Sequence, residues 1–309
     1  MKEKGQRGIT NARAINKMRC IAGLSICALV IVLTAVTLVM NIADVYNEET
    51  PEAGLGTLRM FTTISNVIAA VAAFACLPFQ IDGLRRNKYK LPEWIVTLMY
   101  VGAEGVFLTF ITAATLISAT QGFVTTMFLK SNLFMHTINP IFITLLFARF
   151  IADAHISFRR SFFTLIPVTL YAFLYFIMVF VVKEWRDHYM TNAFIPWPVS
   201  LVLVLAVAFG LSQLLRFLHN LTNAHVNRII ARYYIESPDY DYPRVSDAIA
   251  HLAQVEAAYY YVGDDIYIPT DIIELLSRRY SASVVPLDIQ YDIYLENYLA
   301  VLKRDGKQK

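Results

Sequence analysis

Six long apolar stretches, separated by short polar connections, occupy most of the chain: Met18–Met40, Thr57–Gln80, Trp94–Ser118, Phe123–Phe150, Phe162–Val182 and Phe194–Phe217. A helix needs roughly 20 apolar residues to cross a hydrocarbon core about 30 Å thick, and each stretch meets that length. The pattern predicts an all-α polytopic membrane protein with six transmembrane helices over residues 18–223. The first stretch is too long for a cleaved signal peptide and lacks a small-residue cleavage site, so it reads as a retained anchor.

After residue 224 the pattern changes to short apolar phrases among Tyr, Asp and Glu. Val245, Ile249, Leu252, Ala253 and Glu256 form a helical stripe within Val245–Val262, with Ser246 in position to cap it. Pro269–Tyr280 and Asp288–Leu302 read as two further helices, with Pro286 just before the last. Residues 224–309 are therefore expected to form a small C-terminal helical cytoplasmic domain, marginal in size for independent stability. Its tyrosine-rich faces (Tyr259–Tyr261, Tyr291, Tyr294, Tyr298) are candidates to contact a protein partner, a second copy or the membrane part. A docked regulatory tail is the plainest reading, because no catalytic motif occurs there.

Charge then sets the direction of the spans. Residues 1–17 form a basic N-terminus with Lys2, Lys4, Arg7, Arg13 and Lys17, and Arg19 follows. Arg85, Arg86, Lys88 and Lys90 fall in the second connection, Arg149, Arg159 and Arg160 in the fourth, and Arg228 and Arg232 after the last span. The first connection is acidic (Asp44, Glu48, Glu49, Glu52), the third is almost absent, and the fifth is balanced. With six spans every basic cluster lies on one side, which the positive-inside rule makes the cytoplasm, at the plasma membrane.

Composition agrees. The 309 residues are 57% hydrophobic and 17% charged, where a soluble domain carries about a quarter charged residues. A net charge of +3 gives no reason to expect nucleic acid. Cys20, Cys27 and Cys76 lie in or beside apolar segments and read as small hydrophobes. The histidines outside the spans form no compact ligand set, so neither a metal nor another cofactor is expected.

Polar residues inside the spans carry the candidate chemistry, because an unpaired polar group in hydrocarbon is costly. In the second span Thr62 and Thr63 share a helix face with Asn66. In the fourth, Asn132, His136, Asn139 and Pro140 form another stripe, and Pro140 removes the helix bond that the His136 carbonyl would accept. Thr63 and His136 lie roughly 6 and 9 Å from the same end of their spans, so they can meet if the two spans are neighbours. Glu104 is the one acidic residue deep in a span, expected as a protonated carboxyl hydrogen-bonded within the bundle. Plainer readings stand beside these: Thr63 back-bonded to the Arg59 carbonyl, Asn66 as interhelical glue, His136 as a packing residue.

Phe61-Thr62-Thr63-Ile64-Ser65-Asn66 resembles the Phe-Thr-x-x-Ser-Asn signature of bacterial six-span proteins of the Pr6Pr type. With Met135-His136-Thr137-Ile138-Asn139-Pro140 it also resembles the androgen-induced gene 1 (FAR-17a) family, over about residues 18–220. That resemblance implies a six-span hydrolase of fatty acid esters with a Thr nucleophile and a His. By the Thr-x-x-Asn spacing the nucleophile falls on Thr63 and the base on His136, with Thr62 as a competing hydroxyl. Such chemistry needs a base to activate the hydroxyl and donors for the oxyanion, for which Asn66 and Asn132 are candidates. Arg59, at the outer interface, is a candidate to hold a substrate carboxylate, and the expected partners are membrane lipids or lipid-like substrates. The competing expectation is a transporter, sensor or scaffold in which Glu104 and His136 titrate.

Overall fold

The computed structural model describes residues 2–43, 54–86, 91–151, 156–189, 191–192, 195–236, 248, 260–262, 265–269, 272, 275–276, 278–279 and 299–302. Helix α1 (Lys2–Ala43) is followed by a 3₁₀ turn (Gly54–Arg59), α2 (Phe61–Arg86) and α3 (Glu93–Thr112). A π turn (Ala113–Ile117) extends α3 into α4 (Ser118–Gln121). The short α5 (Phe123–Phe128) precedes α6 (Asn139–Leu145), which lies between π turns Leu133–Ile138 and Leu146–Phe150. Helix α7 (Ser161–Phe176) ends in a π turn (Ile177–Val181), and α8 (Trp197–Glu236) completes the bundle.

Six segments are long and apolar enough to cross a membrane: Lys17–Ala43, Phe61–Arg85, Glu93–Gln121, Leu133–Phe150, Phe158–Val181 and Trp197–Asn223. Both α1 and α8 continue beyond their spans at the end from which the chain termini leave, called here the terminal end; the other is the distal end. The fourth span differs from expectation. It begins at Leu133 rather than Phe123, because Gly122 (φ 87°) turns the chain after α4 and Lys130 (φ 52°) turns it again. Between them, α5 forms a separate short helix where the sequence suggested almost no connection.

Helix α3 is the most buried span and the axis of the bundle. It lies close against α2: a Cβ on Gly102 would stand 2.9 Å from the Ala69 Cα, and one on Gly105 3.2 Å from the Ser65 Cβ. Small residues at a membrane helix contact permit this approach, which supplies dispersion where no hydrophobic drive exists between helices. Around it, Cys20, Cys27 and Cys76 join Ala72, Ala73, Met99 and Phe147 in the core, as small hydrophobes outside any disulfide. Pro78 and Pro167 are carried inside α2 and α7 without ending them. Large apolar side chains such as Leu170, Phe173, Val202 and Phe217 point outward, as a lipid-facing surface requires.

At the terminal end a polar knot ties α1 to α8. Arg19, 1% exposed, donates to the Asn223 side chain and, at 3.3 Å, to the Ile151 carbonyl. His219 donates from Nδ1 to the Phe147 carbonyl at 2.8 Å and accepts from Asn223 at 3.0 Å. Asn220 brackets Ile156, accepting its N–H and donating to its carbonyl.

The C-terminal segment is not wholly helical. Strands β1 (Tyr260–Val262), β2 (Asp265–Pro269) and β3 (Leu299–Leu302) form an antiparallel sheet of order β1-β2-β3. Tyr260 pairs with Tyr267 and Val262 with Asp265, while Ile268 pairs with Ala300. Tyr260–Val262 and Leu299–Leu302 were expected as the ends of helices. Their β-branched and aromatic residues instead satisfy a pleated ladder, which the short apolar phrases did not distinguish from helix. Within Pro269–Tyr280, Ile272, Leu275, Leu276, Arg278 and Arg279 are helical. Most of Val245–Val262, Pro286, residues 288–298, Tyr259, Tyr291, Tyr294, Tyr298 and the acidic first connection lie outside the described residues.

Candidate functional site

The distal end gathers the candidate residues. The chain rises from the 3₁₀ turn into α2 at Phe61, whose N–H donates to the Tyr189 hydroxyl at 3.0 Å. That bond fixes one of the four N–H groups that a helix N-terminus leaves without an intrahelical partner. Thr62 and Thr63 follow in the same first turn and diverge. Thr63, 2% exposed, shares a 3.1 Å hydrogen bond with the Thr57 hydroxyl, which also accepts from Asn41 at 3.3 Å. Its partner is therefore the preceding turn rather than the Arg59 carbonyl, which accepts instead from the Tyr171 hydroxyl at 2.9 Å.

Thr62 is the hydroxyl that meets the imidazole. Its Oγ1 lies 3.3 Å from His136 Nε2. The other ring nitrogen, Nδ1, lies 2.6 Å from the Thr126 carbonyl on α5. A carbonyl oxygen accepts only, so Nδ1 carries the proton and Nε2 offers its lone pair to the Thr62 hydroxyl. The helix α5 that the sequence did not anticipate is thus what sets the tautomer. Thr137 donates to the adjacent Met127 carbonyl at 2.8 Å and fastens the same two segments together.

His136 is 8% exposed and sits in the π turn Leu133–Ile138. The Asn139 N–H reaches back to the Phe134 carbonyl, a turn one residue wider than α, and Pro140 follows at the start of α6. The missing proline N–H is absorbed by this widening rather than by a broken helix, in keeping with the occurrence of π bulges at functional sites.

Asn66 and Asn139 form the polar clasp beneath the pair. Asn66 Nδ2 donates to the Thr62 carbonyl at 2.8 Å and the Met135 carbonyl at 3.2 Å, while its Oδ1 accepts from Asn139 at 3.0 Å. Asn139 also donates to the Thr34 hydroxyl at 3.0 Å, so α1, α2 and α6 meet here. Both amide protons of Asn66 are committed to carbonyls, and it holds the helices rather than an oxyanion. Asn132 donates to the Thr125 carbonyl at 3.2 Å, which braces the turn after α5. Arg59 is exposed at the distal end, with its guanidinium 5.9 Å from the centroid of the Trp185 ring.

A cavity of about 400 Å³ opens beside Thr62, bounded by α2, α3, α7, α8 and the connection between the last two spans. Its wall is mostly apolar and aromatic, with Leu108, Tyr171, Tyr175, Tyr189 and Trp197 prominent. Tyr171, Tyr175 and Tyr189 touch one another, with centroids 5.3 to 6.4 Å apart. Asp187 accepts from the Tyr175 hydroxyl at 3.0 Å and from the Thr191 N–H at 2.9 Å, which holds the loop in place. These tyrosines were not singled out from the sequence, although Tyr171 and Tyr175 stand one turn apart within a span and are visible there as polar tips.

Glu104 lies elsewhere. It is fully buried on α3, and neither carboxyl oxygen has a hydrogen-bond partner among the described residues. The expected hydrogen-bonded carboxyl is therefore not what forms, and Glu104 makes no contact with His136 that would complete a triad. No group of three or more His, Cys, Asp or Glu suited to a metal occurs among the described residues. No family model matches the chain, and neither a curated protein nor a solved structure matches it significantly.

Proposed function

We propose that this protein is an intramembrane hydrolase of lipid esters in which Thr62 is the nucleophile and His136 the base. The observation that carries the reading is the Thr62 hydroxyl held 3.3 Å from a His136 Nε2 whose lone pair faces it, at the wall of an apolar cavity. A threonine hydroxyl attacks an ester only when a neighbouring base takes its proton, and imidazole suits that role near neutral pH. Catalytic hydrogen bonds are commonly long before substrate binds.

The steps follow from the geometry. Thr62 Oγ1 attacks the ester carbonyl carbon while its proton passes to His136 Nε2. The oxyanion forms beside the N-terminus of α2, where the helix dipole favours negative charge. Collapse breaks the ester C–O bond, and His136 returns its proton to the departing alcohol. Water, activated by the same Nε2, then releases the acyl group from Thr62.

The resemblance to the androgen-induced gene 1 family supports a Thr/His pair; its Thr-x-x-Asn spacing falls on Thr63, and the 3.3 Å approach to His136 favours the competing hydroxyl of Thr62. The positive-inside rule applied to the basic clusters at the terminal end favours cytoplasmic termini, and with them a site in the outer half of the bundle, within reach of lipid. Ester hydrolysis by purified protein in lipid nanodiscs tests the function. Turnover lost in Thr62→Ala and in His136→Ala is expected; turnover unchanged in either variant overturns it.

A further inference from the structure

Glu104 takes no part in that chemistry, yet it is the group whose burial most needs a physical account. It lies eleven residues into the span that starts at Glu93, about 16 Å along the helix. A carboxyl in that position is costly unless another group satisfies it, charged or neutral. Among the described residues both oxygens lack a hydrogen-bond partner, and no lysine or arginine pairs with them. A native buried group left in this state marks a place where a small polar species belongs.

The surroundings say which species. Glu104 stands one helical turn from Tyr100 on the same face of α3, and helical side chains lean toward the N-terminal turn, here toward Tyr100. The Tyr100 oxygen lies 2.6 Å from the Ser212 carbonyl, 2.7 Å from the Ser212 hydroxyl and 3.2 Å from the Ser161 hydroxyl. Thr164 adds its hydroxyl, 3.1 Å from Ser212 Oγ. These groups come from α3, α7 and α8, and Tyr100, Ser161, Thr164 and Ser212 are all buried. One turn on the other side, Leu108 packs with Val168, Ala208 and Phe61, which closes the layer off from the cavity at Thr62.

One carboxylate beside neutral hydroxyl and carbonyl oxygens is a hard-oxygen environment, and the Arg216 guanidinium, one turn from Ser212 on α8, acts on Tyr100 but not on Glu104. The site has too few carboxylates for a tightly held divalent ion, and its charge matches a monovalent one. We infer that Glu104, with the oxygens of Tyr100, Ser161, Thr164 and Ser212, binds an alkali cation between α3, α7 and α8. The ion neutralises the carboxylate inside the bundle and ties together the helices that wall the cavity. This site is independent of whether the protein is an ester hydrolase.

The test is thermal unfolding of the purified full-length protein in detergent, at constant ionic strength, with sodium or potassium replacing choline. Binding to the folded state raises the midpoint in a saturable way. The expected result is a higher midpoint in at least one alkali salt than in choline, and loss of that difference in Glu104→Gln. Glu104→Gln removes the charge, so its midpoint in choline should equal or exceed that of the wild type. If Glu104→Gln does not fold, Ser212→Ala is measured instead, and a shift of its half-maximal cation concentration upward is expected. Equal midpoints in all three salts for the wild type overturn the site, as does a full cation response in Glu104→Gln or an unshifted one in Ser212→Ala.

Discussion

The Thr62 hydroxyl and the His136 imidazole face each other across 3.3 Å, and the Thr126 carbonyl, 2.6 Å from the opposite ring nitrogen, decides which of them donates. Thr63, the next residue, is turned to Thr57. Two adjacent threonines are thereby given separate partners by one helical step of about 100°. A lipid-like fluorophosphonate should label the wild type, and Thr62→Ala should abolish labelling and turnover. His136→Ala should reduce turnover about 10²- to 10⁴-fold, the range for a lost general base. Thr63→Ala should keep turnover within severalfold while lowering stability by about 1 kcal/mol, the net worth of one hydrogen bond. Labelling that follows Thr63 instead would reassign the nucleophile.

The cavity gives a test that leaves the pair untouched. Ala172 lines it on α7 and has no part in the hydrogen bonds of the pair. Ala172→Trp should fill the space that a lipid chain would occupy. Hydrolysis of long-chain esters should fall sharply, while a small fluorophosphonate still labels Thr62. Equal loss of both activities would show that the substitution disturbs the pair itself rather than substrate access.

The six spans were legible because hydrocarbon imposes a length and a composition on every crossing helix. The fourth was misplaced at its start for a reason equally physical. Phe123–Phe128 is as apolar as a span, and only the positive φ at Gly122 and Lys130 separates it from one. His136 and Asn66 were visible as polar residues on single helix faces. The choice between Thr62 and Thr63 was not, since it depends on where Thr57 and Tyr189 return to the start of α2. Thr126 contributes a backbone carbonyl, and a backbone group has no signature in side-chain sequence. The sheet at Tyr260–Pro269 was hidden by apolar phrases too short to separate period 2 from period 3.6.

Asn66 and Asn139 predict a stability effect that exceeds any direct effect on chemistry. Asn66→Ala removes a donor from the Thr62 and Met135 carbonyls and an acceptor from Asn139, the last two in a buried setting and the first in a half-buried one. A loss of about 1–3 kcal/mol is expected from groups left unsatisfied. In a double-mutant cycle with Asn139→Ala the coupling should be about 0.6–1.7 kcal/mol, the range for hydrogen bonds between membrane helices. Additive losses would show that the two amides act independently of each other.

Gly102 and Gly105 set the distance between α2 and α3, and with it the position of the turn that carries Thr62. Their contacts differ in kind. A Cβ at residue 102 would stand 2.9 Å from the Ala69 Cα, which is backbone and can yield only if the helices part. A Cβ at residue 105 would stand 3.2 Å from the Ser65 Cβ, a milder approach. Gly102→Ala should therefore cost about 1–3 kcal/mol by overpacking, and Gly105→Ala less. Thermal unfolding in detergent should rank wild type above Gly105→Ala and Gly105→Ala above Gly102→Ala. Labelling of Thr62 should weaken in the same order, because α2 delivers its hydroxyl to an imidazole whose other nitrogen is held by α5. If Gly102→Ala unfolds like the wild type, the close contact is not what fixes α2, and the placement of Thr62 must rest on Tyr189 and the Asn66 clasp.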